Sequence, residues 1–178
     1  MKNVLSFLIA VICATSLTVR TQAQSWIPED LTTSIVLIER FKYQDPNMTL
    51  SDIDEMYEDQ RDEFIENTNE NLERFNVRLD SIFRTCKIKV APTDLGKMDE
   101  QFSNIAAYRY VLRRDVFFGK KKVLNSAQKP EDQSYIAYRY YFYDRVLKKT
   151  YPYYYFSGTQ WAQLQRIVFW LNQYKPKQ

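Results

Sequence analysis

Two stretches decide the fold: Ile105 to Phe118, IAAYRYVLRRDVFF, and Tyr135 to Tyr143, YIAYRYYFY. Both are dense in tyrosine, phenylalanine and β-branched residues, side chains that suit a pleated, half-buried surface, so each predicts a strand. The tetrapeptide Ala-Tyr-Arg-Tyr stands in both, at 107–110 and 137–140. Two strands of like composition, joined by the polar connection Asn125 to Gln133 with Pro130 inside it, read as an antiparallel pair. A third aromatic run, Thr150 to Phe156, follows a turn near Asp144 to Lys149 and extends the meander.

Upstream, Thr33 to Phe41 (TSIVLIERF) is apolar on both faces through Ile35-Val36-Leu37-Ile38, the pattern of a central strand buried on both sides. Ser51-Asp52-Ile53-Asp54 offers a helix cap. Beyond it, Phe64, Leu72, Phe75, Leu79, Ile82 and Phe83 fall on one helical stripe. The polar segment Asn67 to Asn71 interrupts that stripe and predicts a bend or break. Cys86, Ile88 and Val90 alternate with Lys87 and Lys89, as in a strand with one wet face, and Pro92 ends it. Asp94 to Phe102 predicts a short helix. Ser157-Gly158-Thr159 caps a last one, in which Trp161, Leu164, Ile167, Val168, Trp170, Leu171 and Tyr174 recur at three and four. The order β-α-β-α-β-β-β-α predicts a single α+β domain: a mixed sheet of about five strands with helices packed on it.

Composition removes several kinds of chemistry. The chain of 178 residues has no histidine, so no Ser-His-Asp or Cys-His nucleophile, no histidine base and no ordinary Cys/His zinc site can be built. Its three glycines, Gly96, Gly119 and Gly158, are too far apart for a dinucleotide or phosphate loop. No cofactor and no metal are expected.

Met1-Lys2-Asn3 followed by the uncharged run Val4 to Leu17 reads as an export signal. The run is shorter than the roughly 20 residues needed to span a bilayer. Thr21 and Ala23 are small residues suited to a cleavage site before Gln24, so residues 1–23 are expected to be removed and 24–178 to form the domain. Ile12 before Cys13 argues against lipidation. Loss of Cys13 leaves Cys86 as the lone cysteine, expected to be buried. Loss of Lys2 and Arg20 leaves 23 basic against 22 acidic residues, a net charge of +1. Export and this balance speak against a nucleic-acid partner, and localisation is expected to be periplasmic or secreted.

An enzyme on this chain would have to use carboxylates, and Asp52 to Glu73 carries ten of them. On a helix with an apolar stripe such acids form a solvated face, and the absence of glycine there rules out an EF-hand. Tyrosine is the unusual feature, with 14 residues. A strand aromatic at every position exposes half its rings unless both faces are covered, so a surface built from Tyr138, Arg139, Tyr140, Tyr153, Tyr154 and Tyr155 is the candidate ligand face.

The element order, together with Tyr143-Asp144-Arg145-Val146-Leu147-Lys148-Lys149-Thr150-Tyr151 ahead of a final amphipathic helix, resembles a group of bacterial envelope domains. These are the N-terminal domain of the Tol-Pal system protein TolB and its relatives among curli-secretion and penicillin-binding-protein activator lipoproteins. In that group a Y-D-x-x-T-G-x turn reverses into the last strand and a C-terminal helix packs back on the sheet. Here Lys148-Lys149 stands where the family turn has glycine. The resemblance covers nine residues in motif and the chain from Gln24 in element order. It implies a non-catalytic domain that docks an envelope protein partner, and it transfers no site residues. Glycan or cell-wall polysaccharide binding through the tyrosine-rich surface is the alternative, followed by a carboxylate-based hydrolase.

Overall fold

A computed structural model describes residues 26–44, 58–153 and 159–175. Strand β1 (Val36–Glu39) follows a 3-10 turn, Leu31–Thr33. Helices α1 (Glu58–Glu70) and α2 (Leu72–Phe83) lead to β2 (Val90–Thr93). A 3-10 turn (Leu95–Lys97) and the single helical turn α3 (Met98–Gln101) precede β3 (Tyr110–Leu124), β4 (Pro130–Asp144) and β5 (Lys149–Thr150). Helix α4 (Gln160–Gln173) comes last. The strands form one mixed sheet in the order β2-β1-β3-β4-β5. Both neighbours of β1 run parallel to it, whereas β3–β4 and β4–β5 are antiparallel. The expected α+β class is what the chain adopts.

Helix α1 gives way to α2 at Asn71, inside the polar segment that predicted a break. Leu79 and Phe83 of α2 pack with Leu164, Ile167, Val168 and Leu171 of α4 over Val36, Ile38, Leu112, Tyr140 and Phe142 of the sheet. Trp26 completes this core from the N-terminal segment, its ring stacked on Phe142 at 5.7 Å. The connection from β2 to β3 contains the 3-10 turn and α3. Leu37 and Val111 point to the face opposite α2 and α4. Both are fully enclosed.

Several boundaries differ from the sequence reading. The strand expected at Cys86 to Val90 lies later, at Val90–Thr93, and includes Pro92. The backbone before it is held elsewhere: Asn172 on α4 accepts from Lys87 N at 2.6 Å and donates to Thr85 O at 3.1 Å. β2 is an edge strand, where a residue without an N–H is tolerated. Cys86 is half-buried rather than enclosed, and burial pushes its thiol pKa up. Strand β1 is shorter than expected because the chain leaves the sheet at Phe41. Asn76 of α2 takes Phe41 N and returns a bond to Phe41 O, and Asn69 of α1 does the same for Gln44. One asparagine from each helix thus holds the segment 41–44.

The aromatic pair is antiparallel as expected, but β3 starts only at Tyr110 and runs on to Leu124, β4 begins at Pro130 inside the expected connection, and the two Ala-Tyr-Arg-Tyr copies are not equivalent. Tyr110 faces Asp144 across the ladder, whereas Tyr140 faces Arg114. Of the described residues of the third aromatic run, Thr150 lies in the sheet, in β5 (Lys149–Thr150), and 154–156 lie outside the described residues. The export segment and the cap at 51–54 lie outside them as well.

A fully buried carboxylate fixes the end of this architecture. Asp144 Oδ2 accepts from Arg109 Nε at 2.9 Å and Nη2 at 2.7 Å, while Oδ1 accepts from the backbone of Val146 and Leu147. Arg109 also reaches Asp30 Oδ2 at 2.5 Å, and Asp30 takes a short hydrogen bond from the Tyr110 hydroxyl. Burial alone would raise the Asp144 pKa, but the bonds from Arg109, Leu147 and Val146 outweigh it and hold the carboxyl below its usual range. A depressed pKa places the stability this group supplies above its unfolded value and removes it as pH falls through the folded one. Asp144→Asn is expected to cost about 3 kcal/mol or more at neutral pH, because it leaves Arg109 short of its buried counter-charge. Urea denaturation across pH should show that gap closing below about pH 4.

The turn that Asp144 organises places Lys148 at φ 50°, in the left-handed region that favours glycine. Lys148→Gly is expected to raise stability by up to about 1 kcal/mol, and Lys148→Val to lower it by about as much, as read from thermal melts.

Candidate binding face

The β3–β4 ladder has fifteen pairs, from Tyr110↔Asp144 to Leu124↔Pro130. Strand β1 reaches only as far as Leu112, and β5 pairs only with Tyr143 and Asp144. From Arg113↔Tyr141 outward, twelve pairs therefore run on with no third strand among the described residues, a two-stranded ribbon of about 40 Å at strand spacing. A three-residue turn closes its tip. Asn125 Oδ1 accepts from Ala127 N and Lys129 N, and Gln128 takes the left-handed position at φ 55°. Leu124 beside that turn is 71% exposed.

The pleat divides the six residues singled out from the sequence. Tyr138 and Tyr140 point to the helix-covered face, where Tyr140 is buried and Tyr138 packs against the core. Burial raises both hydroxyl pKa values. Arg139 lies on the other face, with its guanidinium 4.8 Å from the centre of the Tyr153 ring. Tyr153 is 47% exposed and meets Tyr141 edge-on at 4.9 Å. Tyr154 and Tyr155 are outside the described residues. Arg139 and Tyr153 thus come together, and Tyr138 and Tyr140 are on the reverse side.

Around that pair the structure gathers residues the sequence did not single out. Arg113 stands opposite Tyr141 and Asp115 opposite Arg139 in the ladder. The Tyr141 hydroxyl donates to Asp115 Oδ1 at 3.2 Å. Its pKa is pushed up to about 12, by burial first and by Asp115 against the opposing pull of Arg113. Glu39 ends β1 beside them. Its Oε2 accepts from Arg114 N at 3.1 Å and lies 3.8 Å from Arg113 Nε. The carboxylate thereby occupies the first backbone donor of β3 that β1 no longer covers. The signal for Glu39 in the sequence is its place as the first charge after the apolar run IVLI. In open α/β sheets the carboxyl ends of parallel strands are where ligands gather.

Arginine over aromatic rings recurs through the fold: Arg114 over Phe41 at 3.8 Å, Arg78 over Trp161 at 4.4 Å and Arg109 over Tyr110 at 4.9 Å. The interleaved tyrosines and arginines thus satisfy one another inside the domain, each pair worth on the order of 0.5–1 kcal/mol. A row of exposed rings does not form among the described residues, where Tyr43 and Tyr153 are the exposed tyrosines.

Two clefts lie elsewhere. One of about 350 Å³ opens beside Met98, Ile105, Tyr143 and Lys148, with the enclosed Arg145 bonded to Asp99 and to Tyr108 O. The other, about 480 Å³, separates α2 from α4 beside Ile82, Val168 and Phe169. Asp62, Glu63, Glu66 and Glu70 of α1 are exposed. Among the described residues no three acids or cysteines cluster so as to hold a metal, and no helix is long and apolar enough to cross a membrane. No family model and no curated protein matches the chain.

Burial outweighs the cationic neighbours of Glu39 and raises its pKa. A raised carboxyl pKa adds stability below the unfolded value and loses it as pH rises through the folded one. Glu39→Gln, which keeps an acceptor for Arg114 N, is expected to match the wild type at about pH 4 and exceed it at pH 7. Glu39→Ala is expected to lose about 1–2 kcal/mol at about pH 4 and less at pH 7. Urea denaturation at the two pH values checks this, and a wild type that gains on Glu39→Gln with rising pH would contradict it.

Proposed function

We propose that this is an exported, non-catalytic domain of the bacterial envelope, periplasmic or secreted, that binds a protein partner through the β3–β4 ribbon. The observation that carries the reading is the run of twelve strand pairs beyond the reach of β1 and β5. A pair of strands with no neighbouring strand among the described residues offers rows of backbone donors and acceptors that a partner can complete. The basic start and apolar run at the N-terminus support export. The resemblance to TolB-type envelope domains implies the same non-catalytic docking role, and its family turn corresponds to the Asp144–Lys149 reversal ahead of α4. Glycan binding is the second reading, favoured by the exposed Tyr153 ring between Tyr141 and Arg139.

The test is in-cell photo-crosslinking from single positions. A photoreactive phenylalanine analogue at Leu124 on the ribbon is expected to capture one dominant exported protein, identified by mass spectrometry. The same group at Val77, exposed on α2, is expected not to capture it. Identical products at both positions, or only self-crosslinks at Leu124, would remove the docking reading. Retention on cell-wall polysaccharide that Tyr153→Ala abolishes would move the assignment to glycan.

A further inference from the structure

The two long edges of the ribbon are not alike. Beyond β5 the backbone still follows β4, with Tyr151 N bonded to Phe142 O and Tyr153 against Tyr141. On the β3 side, β1 stops and the chain turns out of the sheet at Phe41, held on α1 and α2 by Asn69 and Asn76. The backbone groups of a strand alternate in direction. Arg114 N points to the β1 side, where Glu39 takes it, and Asn125 N points the other way, toward Lys129 O. The even-numbered residues Val116 to Leu124 therefore aim their N–H and C=O groups at this vacated edge. None of them receives a strand partner there among the described residues. Nine residues of strand are about 30 Å long, enough for a peptide of about eight residues.

Charge selects what can lie along it. From Val116 to Leu124, β3 carries Lys120, Lys121 and Lys122 and no acid, a net +3, with Asp132 and Glu131 of β4 opposite Lys122 and Val123. A second copy pairing through the same edge would bring two such strands together, and lysine-rich edges oppose that kind of association. A strand carrying acids meets the opposite field. We propose that the edge of β3 from Val116 to Leu124 receives an extended acidic peptide segment of a partner protein as an added strand. This deepens the docking reading above and rests on it.

The test uses purified protein and two labelled peptides of about ten residues, one alternating Glu and Val, the other Lys and Val, followed by fluorescence anisotropy. The Glu-Val peptide is expected to bind saturably, at least about tenfold more weakly at 300 mM than at 50 mM salt, and the Lys-Val peptide not at all. Lys122→Pro deletes an outward N–H without touching the β3–β4 ladder. It is expected to weaken binding at least about fivefold relative to Lys122→Gln, which removes the charge alone. Joint replacement of Lys120, Lys121 and Lys122 by Glu is expected to abolish binding, and circular dichroism confirms that each variant is folded.

Absence of saturable Glu-Val binding overturns the proposal, as does equal binding by the proline and glutamine variants, which would mark adhesion by charge without strand pairing. If the peptide fails while Leu124 still captures a partner in cells, the edge assignment falls and docking stands. If both fail, both fall.

Discussion

The Asp144 carboxylate is where separate parts of the chain are obliged to meet. It lies fully buried with Arg109 on one oxygen and two backbone donors on the other, so both charge and lone pairs are answered. Through Arg109 it ties the start of β3 to the end of β4, and through Asp30 it draws in the N-terminal segment that seats Trp26 on Phe142. Its two backbone bonds shape the turn into β5, and Tyr174 at the end of α4 reaches Pro28 O on the same segment at 2.9 Å. A buried charge has few tolerable arrangements, so this end of the sheet has one geometry.

Asparagine performs the corresponding task along the helices. Asn69, Asn76 and Asn172 each accept from one backbone N–H and donate to one backbone C=O of a segment outside the sheet. An amide offers both halves of a strand's hydrogen-bonding pattern from a single side chain. The first two hold 41–44 on the helices and so decide that β1 ends early. Glu39 then answers the first donor this exposes on β3, and beyond it no described strand lies along that edge of the ribbon.

Among the described residues, most tyrosines are turned at least partly inward, several of them under arginine. Tyr110 and Tyr140 are buried, Tyr138 is half-buried, and arginine covers several rings. Among the described residues, what stays open is backbone edge rather than a platform of rings. That distribution accords with the strand addition proposed above.

The sequence by itself determined the class of fold, the antiparallel aromatic pair, the helix break at Asn71 and the last helix from Thr159, because each is written as a local period or a capping residue. It also excluded imidazole chemistry and glycine-rich phosphate loops, which depend only on residue types. Tertiary structure alone decided the rest. That β2 lies at Val90–Thr93 rather than Cys86–Val90 follows from an amide on α4, 85 residues away. The split of Tyr138 and Tyr140 from Arg139 follows from the pleat, once one face of the sheet was covered by helices. Glu39, Arg113, Asp115 and Tyr141 converge only because a parallel strand stops beside a longer one. The relative lengths of paired strands depend on where distant side chains pull the chain out of the sheet, and no local period records that.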